Sequence, residues 1–349
     1  MAKSFGELCK NINNTNNLSQ DNKILSLPLY KAKIMGSYAS YSSSGSYYAK
    51  DTNIGILKKN ILLQNRFLHL DIYFNIQDGE KVPIVKGELN KKGILFKDCC
   101  QCIKDFAWSS TKLNDYPIFL FIYLRYNEIN IDVSNKVANI LIECFSDRWP
   151  DIKYKNGFQK KGQNLANEDL QNFLGKIVIL TNYNKDDNQD DQDEQEKNKQ
   201  RDNGYYLNEL IHSYIKIYKS VNDIVHENNN INFAALKYHN DSNNKLSSNQ
   251  YLSGCTTNKT NNYLSQLNNK ENPKFLIALP DYKNRVDIPK TYTFDIMDNL
   301  LSRFNVLSMI YFDTDTKGQI FQLFINYIIF FTVNTKLSPI RELPNITSS

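Results

Sequence analysis

Residues 117–124 (PIFLFIYL) and 175–181 (GKIVILT) are apolar at nearly every position instead of at alternate ones. Short runs of this composition, alternating with longer amphipathic ones, are what a parallel α/β architecture looks like in sequence. Further strand candidates, short runs with Ile, Val, Phe and Tyr, fall at 31–35, 66–74, 82–85, 274–279, 306–312 and about 328–333. Between them, apolar residues spaced near 3.6 predict helices over about 54–64, 95–108, 132–146, 205–219, 294–303 and 318–327. Eight strands separated by helices predict an α/β fold whose parallel sheet closes into a barrel.

Two polar stretches interrupt this rhythm, an acidic one at 184–203 and an Asn-rich one at about 228–272. Neither carries enough large apolar residues to offset the entropy of ordering it, so both read as surface insertions. The bias toward Asn, Lys and Ile reads as the mark of an AT-rich genome. The longest apolar run, 320–333, is broken by Gln322 and Asn326. It is shorter than the roughly 20 residues a bilayer needs, and no transmembrane helix is predicted.

At 349 residues and 41% hydrophobic, the chain can bury a large core. Its net charge is +5, but residues 186–196 hold seven acids, so the remainder carries +12 if that run is a solvated loop (5 + 7). The lysines are scattered, without the Arg-rich helix or interleaved aromatics of a nucleic-acid binder, and no nucleic-acid partner is expected. Six cysteines and a polar start, MAKSFGELCK, without a secretory pattern predict a reducing, cytoplasmic compartment and no disulfides. Cys99 and Cys102 have the spacing of half a zinc site. Cys9, Cys144 and Cys255 stand alone, and no His pair completes four ligands, so the cysteines read as small buried residues on a helix. His212, His226 and His239 have no carboxylate at a telling spacing and read as structural or exposed.

The order of segments carries a resemblance. KIMGSYASYSSSG (33–45), NRFLHLDIYF (65–74), VPIVKGEL (82–89), FKDCCQCIKDFAW (96–108), YPIFLFIYL (116–124) and LGKIVIL (174–180) resemble, in that order, the catalytic X half of phosphoinositide-specific phospholipase C. LIALPDYKNRVDIP (276–289), NVLSMIYFDTD (305–315) and KLSPIREL (336–343) are similar to segments of the Y half. The resemblance implies an irregular TIM-type (β/α)8 barrel with two polar insertions. It implies an N-terminal arm at 1–27, an X-like half at 28–183, an acidic linker at 184–204, a Y-like half at 205–343 containing the Asn-rich insertion, and a tail at 344–349.

The resemblance also places the chemistry. The family's first histidine falls on Tyr38 and its neighbouring calcium-binding asparagine on Ala39. The second histidine falls on Lys86. The calcium carboxylates of the second strand fall on His69 and Asp71, and that of the fourth strand on Tyr123. Bacterial members carry an arginine in place of calcium, and its position here is Tyr73. Of this set Asp71 alone is retained. Tyrosine and lysine ordinarily hold their protons at neutral pH, so Tyr38 and Lys86 are not ready bases.

The expectation is therefore a catalytically inactive phospholipase-C-like barrel, with no cofactor and the calcium site lost. Its role would be structural, with protein partners such as those of a virion or capsid, in line with phospholipase-like proteins of large DNA viruses. The alternative is an active phosphodiesterase or a binder of phosphoinositide membranes, with Lys86, Asp71, Ser37 and Ser40 contacting headgroup or phosphate.

Overall fold

A computed structural model describes residues 26, 28–42, 52–63, 65–109, 116–125, 131–154, 163–182, 207–218, 223–224, 232–238, 273–280, 305–309 and 331–333. β1 (Ala32–Ser37) leads to α1 (Ile54–Leu62), whose first turn is capped by the Asn53 side chain accepting the Gly55 N–H at 2.7 Å. β2 (Phe67–Gln77) turns back into β3 (Glu80–Val85), and the short β4 (Ile94–Leu95) runs into α2 (Phe96–Phe106). Phe96, Cys99, Cys100 and Ile103 of α2 are buried, a stripe at helical spacing that turns one face to the barrel. β5 (Ile118–Leu124), α3 (Ile131–Phe145) and β6 (Ile177–Asn182) follow. The one-turn α4 (Leu207–Leu210) precedes β7 (Ser213–Tyr218), and β8 (Phe233–Tyr238), β9 (Phe275–Pro280), β10 (Val306–Met309) and β11 (Phe331–Val333) complete the sheet.

Parallel pairings run β1–β2–β5–β6–β7–β8–β9–β10 and return from β10 to β1. Eight parallel strands thus form a closed ring, the TIM-type barrel of the sequence reading. β5 and β6 are buried along most of their length, at successive positions that face both sides of the sheet, and this is why they read as unbroken apolar runs.

The seam of the ring is tight. A Cβ on Gly36 would meet Val306 Cγ1 at 3.0 Å and Phe67 Cβ at 3.1 Å, so β1 approaches both neighbours only because that residue has no side chain. At the other end of the seam, Asn305 Nδ2 donates to the carbonyls of Tyr30 (2.6 Å) and Ala32 (3.0 Å), while its Oδ1 accepts the Leu276 N–H at 2.9 Å. One buried amide therefore ties β9, β10 and the entry to β1.

The ring has the expected eight strands within a sheet of eleven, but the membership differs. The run at 82–85 is β3, antiparallel to β2 and outside the ring; the run near 328–333 contributes β11, antiparallel to the first half of β1. The two remaining staves come from segments read otherwise. The helix expected over 205–219 is one turn of helix followed by β7, because the spacing of Leu207, Leu210, Ile211, Tyr214, Ile215 and Tyr218 fits a helix while the Ile- and Tyr-rich composition fits a strand. β8 lies inside the Asn-rich stretch expected to be all insertion, and its Phe233, Ala234, Ala235 and Leu236 are buried. The helices expected at 294–303 and 318–327 and the acidic stretch at 184–203 lie outside the described residues. Among the described residues, no helix is long and apolar enough to cross a membrane.

Candidate functional site

The C-terminal ends of parallel barrel strands form a mouth, and the loops that leave them carry the chemistry of such folds. Here the loop after β1 folds into the mouth instead of over it. Tyr38 is 8% exposed, and Ala39, Ser40, Tyr41 and Ser42 are fully buried. The hydroxyls of Ser37 and Ser40 are spent on each other and on the backbone. Ser37 and Ser40 Oγ lie 2.6 Å apart, Ser40 Oγ donates to the Ser37 carbonyl at 3.1 Å, and it accepts the His69 N–H at 2.9 Å. Ser37 and Ser40, candidates for phosphate contact by sequence, are thus buried inside the loop's own network.

β2 projects His69 and Asp71 into the same region, two residues apart on one face. His69 Nδ1 accepts the Ala39 N–H at 3.1 Å, with Ala39 in the left-handed region at φ 46°. The imidazole stacks on Tyr38 (centroids 4.6 Å, 11° between planes) and packs against Phe121 at 5.1 Å. Its Nδ1 is 3.8 Å from Asp71 Oδ2, beyond hydrogen-bond reach, and with the Ala39 hydrogen bond Nδ1 is the unprotonated nitrogen.

Asp71 is fully buried and held on both oxygens. Arg125 Nε donates to Oδ1 at 2.7 Å, and the Tyr41 hydroxyl donates to Oδ2 at 2.7 Å, with the Lys86 carbonyl 2.9 Å from the same phenolic oxygen. Arg125 follows the last residue of β5, its N–H bound to the Ile72 carbonyl at 3.0 Å and its guanidinium 4.1 Å from the centre of the Tyr123 ring. Burial works against the guanidinium charge, but Asp71 and then Tyr38 outweigh it, so Arg125 is held protonated above its ordinary range. Tyr73, half-buried at the same rim, is pushed up to about 12, mainly by burial; Arg125 pulls the other way. Lys86 turns back on its own loop: its ammonium donates to the Asn90 carbonyl at 3.0 Å and lies 4.7 Å from the Tyr73 ring centre.

The structure gathers Tyr38, Ala39, His69, Asp71, Lys86 and Tyr123 around one mouth. It adds two residues that sequence reading missed, Tyr41 and Arg125. Tyr73 stands at the family's arginine position, and a guanidinium reaches Asp71 from another place, the residue that follows β5. The fit to calcium is poor. That ion takes about six to eight oxygen ligands, whereas the buried carboxylate here is already engaged by a guanidinium and a phenol. Among the described residues, no group of three or more His, Cys, Asp or Glu side chains could hold a metal ion.

Away from the mouth, Cys99, Cys100, Cys102 and Cys144 are free and buried. Desolvation pushes the Cys99 and Cys100 thiols well above their ordinary range and Cys102 to about 11. His212 is buried just before β7; its Nδ1 accepts the Ile179 N–H at 3.0 Å and its ring stacks on Trp149. His226, His239, Cys9 and Cys255 lie outside the described residues.

Residues 25–183 match the family model of the phosphatidylinositol-specific phospholipase C X domain. Among solved structures, S. officinalis PLC21 shares 17% identity at a TM-score of 0.52, covering 92% of this chain and 39% of its own. L. pealei PLC21 shares 16% at 0.48, covering 81% of this chain and 34% of its own. A calcium-dependent phosphoinositol-specific phospholipase C from Pseudomonas sp shares 9% at 0.49, covering 84% and 94%. The chain thus spans little more than a third of the length of either PLC21. No curated protein matches it. The likeness to S. officinalis PLC21 is one of fold, a phospholipase-C-like barrel.

Proposed function

We propose that this phospholipase-C-like barrel is a structural or interaction protein that does not turn over phosphodiesters. Phosphodiester cleavage needs a base for the attacking hydroxyl and an acid for the leaving oxygen. The observation that carries the reading is the Ala39 N–H bound to His69 Nδ1. It occupies the lone pair that the mouth's imidazole would use as a base, and the family's two histidine positions hold Tyr38 and Lys86. The AT-rich composition and the filled mouth support a place in a large assembly such as a virus particle, with protein partners bound on the barrel's outer surface. Incubation with phosphatidylinositol or glycerophosphoinositol, with and without calcium, tests the catalytic half of this reading. No release of inositol phosphate is expected, and turnover that is lost in Lys86→Ala would overturn it. Isolation of the chain from its natural source tests the other half: recovery within a protein shell supports it, and recovery in a membrane fraction refutes it.

A second reading, a binder of anionic lipid headgroups, is favoured by the presence of two cations, Lys86 and Arg125, at one rim. It requires binding to phosphoinositide vesicles that weakens with salt and with Lys86→Ala.

A further inference from the structure

We infer that Arg125 takes the place of a divalent cation at this mouth, as the fixed counter-charge of Asp71, and that calcium does not bind there. A fully buried carboxylate at the strand ends is the kind of ligand a divalent cation would take there. The residues present point elsewhere. The Arg125 guanidinium reaches Asp71 Oδ1 at 2.7 Å, with its central carbon 4.1 Å from the Tyr123 ring centre, and its main chain is anchored on Ile72 at 3.0 Å. The other carboxylate oxygen is bound by the Tyr41 hydroxyl at 2.7 Å. A cation entering beside Asp71 would have to displace both donors and then sit next to the guanidinium it displaced, with His69 and Tyr123 in place of further carboxylates. A planar, permanently charged group supplies the same local neutralisation with directional hydrogen bonds and no need of an ion.

The inference concerns the same mouth as the proposed function but stands apart from catalysis. A working enzyme built on this pair would also ignore calcium, and an inert barrel could still bind it. The test is a thermal melt of the full chain with millimolar calcium, with magnesium as control, together with a double-mutant cycle on Arg125→Met and Asp71→Asn. No calcium-dependent shift in Tm is expected. Arg125→Met alone is expected to lower Tm by several degrees, because it strands a buried carboxylate, and Asp71→Asn in the same chain to recover most of the loss. A calcium-dependent rise in Tm that Asp71→Asn abolishes would overturn the inference, as would two single losses that simply add. Should Arg125→Met fail to fold, the calcium melt of the unaltered chain decides alone.

Discussion

Arg125 and Asp71, 54 residues apart in the chain, are joined by a 2.7 Å hydrogen bond between opposite charges, with the carboxylate fully buried. The parallel register of β2 on β5 creates the pair: Asp71 lies opposite Tyr123, and Arg125 is two positions further along the same strand direction. Two residues at that offset share a face, so the guanidinium comes back over Tyr123 to the carboxylate.

Tyr41 is the second support of the same carboxylate. Tyr41→Phe keeps the ring and removes the donor to Asp71 Oδ2, leaving a buried charged oxygen short of one partner. A loss of about 1–3 kcal/mol in unfolding free energy is expected. Urea titration of the variant against the unaltered chain, at equal m-value, measures it.

The closing of the ring rests on Gly36 and Asn305. Gly36→Ala puts a methyl 3.0 Å from Val306 Cγ1 and 3.1 Å from Phe67, where no flexible side-chain end can move aside. Overpacking of this kind costs roughly 1–3 kcal/mol. Asn305→Ala leaves the carbonyls of Tyr30 and Ala32 and the Leu276 N–H without their amide partner, at about 1–3 kcal/mol for a buried group left bare. Both variants are expected to lower the urea midpoint, Asn305→Ala by more.

Much of this fold was legible because a parallel barrel writes its staves as unbroken apolar runs, and β5, β6 and β9 are such runs. β7 was hidden by a spacing that satisfies helix and strand alike; what makes it a strand is the place between β6 and β8, which no local window contains. β3 could have been read correctly. Asp78 and Gly79 adopt φ of 51° and 83°, the two-residue turn that Asp-Gly favours, and that signal marks an antiparallel hairpin and not a barrel stave. At the mouth, Tyr38, His69, Asp71 and Lys86 were placed by motif. Arg125 lies outside every motif and Tyr41 lies inside the first without a role assigned to it there; only the strand register and the inward fold of the loop bring them to Asp71.

The thiols of α2 give a check on the helix's placement. Burial holds Cys99 and Cys100 protonated well above the ordinary thiol range, and the thiolate is the reactive form. Alkylation of the native chain at mildly alkaline pH is expected to spare both, and unfolding in urea to expose them. Peptide mapping by mass spectrometry reads the outcome. Rapid native labelling of Cys99 or Cys100 would mean that α2 does not pack on the barrel as described.

Tyr73 makes the alkaline limit of stability depend on the mouth. Its hydroxyl is raised from 10.0 to about 12, first by burial, so the folded chain keeps a proton that the unfolded chain releases. The contribution is present in full below pH 10 and is lost as pH rises toward about 12, because proton release then favours the unfolded state. The denaturant midpoint is therefore expected to fall across that window, and to fall less steeply in Tyr73→Phe. Tyr116 and Tyr154 are raised in the same direction, so part of the slope persists in the variant. Arg125 opposes the shift at Tyr73, and Arg125→Met is expected to move its titration higher still. An identical alkaline slope in the unaltered chain and Tyr73→Phe would place that ring in water, away from the rim that Asp71, Arg125 and Lys86 share.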